Sequence, residues 1–161
     1  DFEIAYGDNS LEETLKASIF ENLKTKKKFL AFLATETLKK PSPLSFFKHF
    51  NLEEDDEHKD LFDIKSRALM PLVGAARLLA LSYGIQGVNN TFSRFRKLAI
   101  EDIKHAEIYQ KAGDDFILLS KFRTMEGLKN GTDGQYIDLE EMSKADKEIL
   151  KHCFHSLSQR S

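Results

Sequence analysis

Apolar residues recur every three to four positions along most of this chain, the spacing that places them on one face of an α-helix. Near the N-terminus the stripe consists of Leu11, Leu15, Ile19 and Leu23. Comparable stripes predict helices over about 26–39, 66–83, 102–129 and 143–159, with a short helix after Thr91. We therefore expect an all-α protein, folded as a single bundle of about five to seven helices.

Several residues mark where these helices begin and end. Ser10, Thr91 and Ser143 each precede an apolar stripe and are predicted N-caps. Pro71 is expected near the first turn of the third helix, where proline is tolerated, and Gly84 is expected to end that helix.

The first residues follow a different pattern, because Phe2, Ile4 and Tyr6 occupy alternate positions as in a half-buried strand. No later segment offers a convincing partner, and a lone strand leaves its backbone groups unpaired. We expect residues 1–8 to be a linker or strand remnant of a preceding domain, and residues 9–161 to form the helical domain.

Two segments before the third helix carry no long stripe. Residues 44–50 are aromatic and are predicted to form one or two turns packed on the bundle. Residues 51–60 are acidic and almost free of apolar groups, which is typical of a solvated loop.

Composition narrows the classes of protein. A net charge of −2 argues against a surface built as a whole to bind nucleic acid. The single cysteine, Cys153, excludes an internal disulfide; it lies at helical spacing with Leu150 and Leu157 and is predicted to be buried and reduced, as in the cytoplasm. No apolar run reaches the ~20 residues of a membrane span.

Arg77 is the only charged residue between Ala68 and Ser93. Because an unpaired guanidinium is costly to bury, we expect it to meet either an internal carboxylate or a bound anion. Asp114 and Asp115 on the long helix are the candidate internal partners.

Other cations also lie in or beside apolar segments. Lys65 and Arg67 precede the third helix, Arg94 lies in the first turn of the helix after Thr91, and Arg123 continues an apolar stripe. Exposed amides at a helix N-terminus together with Arg or Lys form an anion site. A cleft built from Lys65, Arg77, Arg94 and Arg123 would suit a nucleotide triphosphate or an acidic acceptor.

Two other kinds of site have weaker support. The basic clusters near Lys27 and Arg96 invite a nucleic-acid interpretation, but their members point in different directions on a helix. Asp102 with His105, and His152 with His155, have a spacing that metal ligands use, yet a zinc site needs three or four ligands. We therefore assign no metal site and no catalytic residue.

The spaced pattern of Asp63 and Lys65, then Ala76–Arg77, then Asn90–Thr91 and Arg94 resembles the putative nucleotidyltransferase substrate-binding domain. The later Phe122–Arg123–Thr124 and Gly134 with Ile137–Asp138 follow the same order. The resemblance covers nearly the whole chain. It implies a helical domain that packs against a nucleotidyltransferase domain and helps to form the cleft for the nucleotide or for the acceptor.

What the resemblance implies extends beyond this chain. It places the domain after a catalytic domain similar to that of PII uridylyltransferase, in bacterial cytoplasmic signalling proteins that often carry cyclic-nucleotide-binding and CBS modules. Mg²⁺, a nucleotide triphosphate and the catalytic carboxylates are expected only with that domain, so this chain alone is expected to be inactive. Candidate binding residues are Lys65, Arg77, Thr91, Arg94 and Arg123, supported by Asp63, Arg67, Asp114 and Asp115.

A second interpretation stays open. The chain would then be a helical interaction module without a ligand, which docks a neighbouring domain or forms a homodimer. Phe46 and Phe47 are its candidate contact residues.

Overall fold

A computed structural model describes residues 4–25, 27–38 and 61–158 of the chain. These residues form six α-helices, and the predicted all-α class is confirmed. The helices are α1 Asn9–Thr25, α2 Lys27–Leu38, α3 Met70–Ser82, α4 Thr91–Glu101, α5 Ala106–Asn130 and α6 Lys144–Ser158.

Shorter elements join the helices. Strand β1, Phe62–Asp63, is followed by a π-helical turn, Lys65–Leu69, which leads into α3. A 3-10 turn, Ile103–His105, precedes α5, and strand β2, Tyr136–Ile137, follows it.

The bundle is organised around α4 and α5, which pack against each other. Helix α3 packs on α4, α2 packs on α3, and α1 contacts α2. The most deeply buried side chains come from both ends of the described core: Phe62 and Phe154 meet edge to face with ring centroids 5.6 Å apart. Leu98 of α4 and Leu119 of α5 are fully buried in the core that these two helices share with α3, as their apolar stripes predict.

The small antiparallel sheet is the element that the apolar pattern did not predict. Phe62 pairs with Ile137 and Asp63 pairs with Tyr136, and the N–H of Ile64 donates to the carbonyl of Gln135 at 3.0 Å. A two-residue strand is too short to show a period of two, so the sequence pattern carries no signal for it.

Two of the three predicted N-caps are wrong by one or two positions. The Asp8 side chain accepts from the N–H of Ser10 at 2.9 Å, so Asp8 begins α1 in place of Ser10. The Asn90 side chain accepts from the N–H of Ser93 at 2.8 Å and caps α4, while Thr91 is buried inside its first turn. The cap predicted at Ser143 is confirmed, because its Oγ accepts from the N–H of Asp146 at 3.1 Å.

Other boundaries combine confirmation with correction. Pro71 lies in the first turn of α3, and Gly84, with φ of 66°, follows the end of that helix as predicted. The long helix begins at Ala106, not near Asp102, because Asp102 has a non-helical ψ of 78° and ends α4.

Residues 4–8, the part of the N-terminal segment that the structure describes, include no strand, and the origin of residues 1–8 in a preceding domain stays a prediction. Residues 5–7 form bends, Tyr6 is fully exposed, and the N–H of Ile4 donates to Oε2 of Glu12 at 3.0 Å. Phe2, residues 44–50 with Phe46 and Phe47, and the acidic segment 51–60 lie outside the described residues. Cys153 is buried, as predicted.

Candidate functional site

A groove of about 610 Å³ is lined by the π-helical turn and α3, by α5, and by the turn that follows α5. Its apolar lining consists of Leu69, Met70, Val73, Phe116 and Leu128. Its polar side chains are Lys65, Ser120, Arg123, Thr124, Thr132 and Asp133. We call it the cation groove. Its size lies within the roughly 300–1,000 Å³ of small-molecule sites, which also combine an apolar lining with a few polar groups.

Two of the candidate cations, Lys65 and Arg123, meet in this groove at one carboxylate. Oδ2 of Asp133 lies 3.1 Å from Nη2 of Arg123 and 3.6 Å from Nζ of Lys65. Nε of Arg123 also donates to the backbone carbonyl of Asp133 at 3.0 Å. The Arg123 guanidinium therefore has a fixed orientation toward the turn after α5.

The β1–β2 pairing positions Lys65. Asp63 at the end of β1 accepts from the N–H of Ser66 at 2.7 Å and from the side-chain amide of Gln135 at 2.9 Å. The oxygen of that amide then accepts from Nζ of Lys65 at 3.4 Å. Asp63, predicted only as a supporting residue, thus orients the Gln135 amide that in turn contacts Lys65.

A hydrogen bond between the Asp133 side chain and the backbone holds the turn that carries this residue. Oδ1 of Asp133 accepts from the N–H of Gln135 at 3.0 Å, an Asx turn. This hydrogen bond, followed by the positive charges of Lys65 and Arg123, lowers the pKa of Asp133. Asp133 is therefore ionised at neutral pH, and the groove holds two cations and one anion.

Arg94, another of the candidate cations, has a deeply buried guanidinium. Arg94 is 4% exposed, and its Nη2 donates to the carbonyl of Val88 at 3.3 Å. Burial, followed by the positive charge of Arg77, lowers the pKa of Arg94. Arg77 itself lies on the exposed side of α3, and its contact with an internal carboxylate or a bound anion stays a prediction.

The four cations that were predicted to share one cleft form two pairs. Lys65 and Arg123 line the cation groove, whereas Arg77 and Arg94 are not among its lining residues. Lys65 and Arg77 are twelve positions apart on an almost continuous helix, a separation of roughly 18 Å along its axis. We restrict the candidate site to the Lys65 and Arg123 pair.

The remaining candidates lie elsewhere. Asp114 contacts Arg96, with 3.7 Å between Oδ1 and Nη2, and the buried Asp115 contacts Nζ of Lys111 at 3.3 Å. Thr91 is buried in α4 and Arg67 is half-buried in the π-helical turn. None of these four candidates lines the cation groove.

Sequence reasoning missed a cluster around Asp102, which ends α4. Its Oδ2 accepts from the hydroxyl of Tyr83 at 2.7 Å and from that of Tyr109 at 3.0 Å, and lies 2.8 Å from Nδ1 of His105. Tyr83, His105 and Tyr109 lower the pKa of Asp102 to about 2. The i, i+3 spacing of Asp102 and His105 suggests only a pair of metal ligands, and nothing in the sequence connects Tyr83 to these two residues.

Within the described ranges, no group of three or more His, Cys, Asp or Glu residues could hold a metal ion. In the same part of the chain, no helix combines the length and the apolar character that a membrane crossing requires.

One comparison with known proteins gives a match. Residues 27–160 match the family model described as "Putative nucleotidyltransferase substrate binding domain". The matched range includes helices α2 to α6 and the whole cation groove, while α1 lies before it. Neither the curated proteins nor the solved structures contain a match to the chain.

Proposed function

The chain belongs to the family of putative nucleotidyltransferase substrate binding domains, and on that basis we propose that its cation groove binds the anionic ligand of a nucleotidyltransferase. The observation that carries the proposal is the meeting of Lys65 and Arg123 beside the apolar lining of one groove. A nucleotide has a flat base and a phosphate chain, which match these two kinds of surface.

The chemistry of the groove supports binding more than catalysis. Arg123 and Lys65 offer several N–H donors to phosphate oxygens, and Ser120 and Thr124 add hydroxyl groups. Half-buried Phe116 offers an aromatic surface to a base. We assign this chain the task of holding and orienting the ligand.

We propose that nucleotidyl transfer itself takes place in a preceding nucleotidyltransferase domain, which would supply the metal-binding carboxylates, Mg²⁺ and the nucleotide triphosphate. In this proposal the full-length protein acts in bacterial cytoplasmic signalling and the groove completes the cleft. The ligand is then either the nucleotide or the acidic group of the acceptor.

The test is ligand binding by the full-length protein. We would measure dissociation constants by calorimetry for pyrophosphate and for ATP, GTP, CTP and UTP, each with Mg²⁺. Replacing Arg123 with alanine removes charge-assisted hydrogen bonds and should weaken binding roughly tenfold. Lys65→Ala should weaken it less, because the Lys65 side chain is the more exposed of the two, at 40% against 30%.

Arg96→Ala is the matched control for this test. Arg96 is exposed, contacts Asp114 and lies over the ring of Phe92 at 5.0 Å, and it does not line the groove. Its dissociation constants should stay within twofold of the wild type. Absence of binding to every probe, or equal losses in the Arg96 and Arg123 variants, would remove the basis of the proposal.

Helix α1 favours a second candidate function, docking of another domain or of a second copy. Its Leu11 and Leu15 are 66% and 50% exposed, although they belong to its apolar stripe. A docking module would gain no thermal stability from nucleotides. A ligand-binding domain should gain about 2.7 kcal/mol at a ligand concentration a hundred times its Kd.

A further inference from the structure

We propose that Asp133 is a built-in competitor for the anionic ligand of the cation groove, and that only ligands with several negative charges, such as phosphate chains, displace it. The inference rests on the proposed function. It also deepens that function, because it selects the phosphate-bearing ligand over an acidic side chain of an acceptor.

The position of the Asp133 carboxylate carries this inference. One oxygen, Oδ2, contacts both Arg123 and Lys65, at 3.1 and 3.6 Å. A ligand oxygen that used both cations would have to occupy nearly the same place. The Asp133 side chain must therefore turn away when such a ligand binds.

The contact that has to be broken is weak. The Asp133 side chain is 56% exposed, and those of Arg123 and Lys65 are 30% and 40% exposed. Solvent screens ion pairs of this kind, and breaking one typically changes an equilibrium by a factor of roughly two to five. The turned-away carboxylate would regain its hydration, which offsets the loss of the hydrogen bond that Oδ1 accepts from the N–H of Gln135.

The backbone of the turn can keep its place during this exchange. Nε of Arg123 donates to the backbone carbonyl of Asp133, not to its side chain. Gly134 lies so close to α5 that an added Cβ would be 1.9 Å from the carbonyl oxygen of Arg123. The guanidinium therefore stays oriented while the carboxylate leaves Nη2.

The charge of a ligand then decides whether it displaces the Asp133 carboxylate. A ligand with one carboxylate can make only the contacts that Asp133 already makes, and it also loses translational and rotational freedom on binding. A phosphate chain presents several charged oxygens, which contact Lys65 and Arg123 together and are attracted more strongly to each. Asp133 thus lowers the affinity of every anion by a similar factor, and singly charged carboxylates, which bind more weakly to begin with, are the ligands that stay unbound.

The experiment compares Asp133→Asn with the wild type in the full-length protein. Asparagine keeps an oxygen that can accept from the N–H of Gln135, so the turn is preserved while the charge is lost. Calorimetry with pyrophosphate and with inorganic phosphate should show both probes binding more tightly, by a similar factor of roughly two to five. The factor is similar because each probe displaces the same carboxylate.

Asp138→Asn is the matched control. Oδ1 of Asp138 also accepts a backbone N–H two residues ahead, that of Glu140 at 2.8 Å, but Asp138 does not line the groove. Its dissociation constants should equal those of the wild type. Should the asparagine variant at position 133 unfold, Asp133→Ser provides a second variant with an acceptor oxygen and no charge.

The possible results separate this inference from the function on which it rests. Unchanged or weaker binding by both position-133 variants would overturn the inference, and a markedly larger gain for pyrophosphate would indicate repulsion by a carboxylate that stays in place. In either case, loss of pyrophosphate binding in Arg123→Ala would leave the proposed function standing. If no variant and no wild-type protein binds pyrophosphate, both proposals fail.

Discussion

Gly131 and Gly134 offer a sharp test of how the turn after α5 is packed. Both have a left-handed backbone, with φ of 65° and 66°. They differ in their surroundings: an added Cβ at Gly131 would meet no atom within 4 Å, whereas one at Gly134 would lie 1.9 Å from the carbonyl oxygen of Arg123 and 2.8 Å from the N of Gly127. Replacing each with alanine therefore separates backbone conformation from crowding.

The expected losses of stability follow from these contacts. Gly131→Ala should cost only the penalty of a side chain in the left-handed region, about 1–2 kcal/mol. Gly134→Ala incurs the same penalty, and its new methyl group would overlap backbone atoms that have no freedom to rotate away. The turn would have to move off α5, and such overpacking adds about 1–3 kcal/mol.

Thermal and urea unfolding of the two variants would measure the difference. A gap of about 2 kcal/mol corresponds to roughly 4–8 °C in Tm for a protein of this size. Equal losses in the two variants would refute the close approach of Gly134 to α5. They would also weaken the argument that the backbone of Asp133 is held against Arg123.

Two further predictions concern titrating groups away from the groove. Tyr83, His105 and Tyr109 hold the pKa of Asp102 at about 2, below its ordinary 3.8; the ionised form therefore stabilises the fold above about pH 4, and this contribution is lost as the pH falls toward 2. Urea unfolding of wild type and Asp102→Asn should differ at pH 5 and converge near pH 2, and a constant difference would contradict this. Burial, followed by the charge of Asp115, raises the pKa of Cys153 to about 12. Iodoacetamide near pH 8 should therefore label the native thiol far more slowly than the thiol of the urea-unfolded chain, and similar rates would mean that the thiol is accessible.

The central helices were predictable from this sequence because each of them buries one face. Leu98 and Leu119, for example, belong to apolar stripes, and both side chains are fully buried. Caps were less predictable, since two residues of capping type lie within two positions of each other both at Asp8 and Ser10 and at Asn90 and Thr91. A choice between neighbours depends on backbone dihedral angles that a single sequence does not specify.

The candidate cations show where local pattern helps and where it misleads. Arg77 stands out as the only charged residue of a long apolar segment, yet it lies on the exposed side of α3. Arg94 lies in a polar stretch, but it shares the spacing of the buried Thr91, Phe95 and Leu98. Helical spacing would have identified Arg94 as the buried guanidinium, whereas overall polarity concealed it.

The partners of Lys65 and Arg123 could not be predicted, because they depend on contacts between distant parts of the chain. A two-residue strand pair stabilises little by itself. Its consequence is positional: it brings Gln135 beside Asp63, and so fixes Lys65 relative to the turn that carries Asp133. Gly134 then permits that turn to lie against α5 at Arg123. The two-stranded sheet and one glycine therefore determine whether the two cations face the same groove. Under the proposed function, changes at either should reduce anion binding even where the helices stay intact.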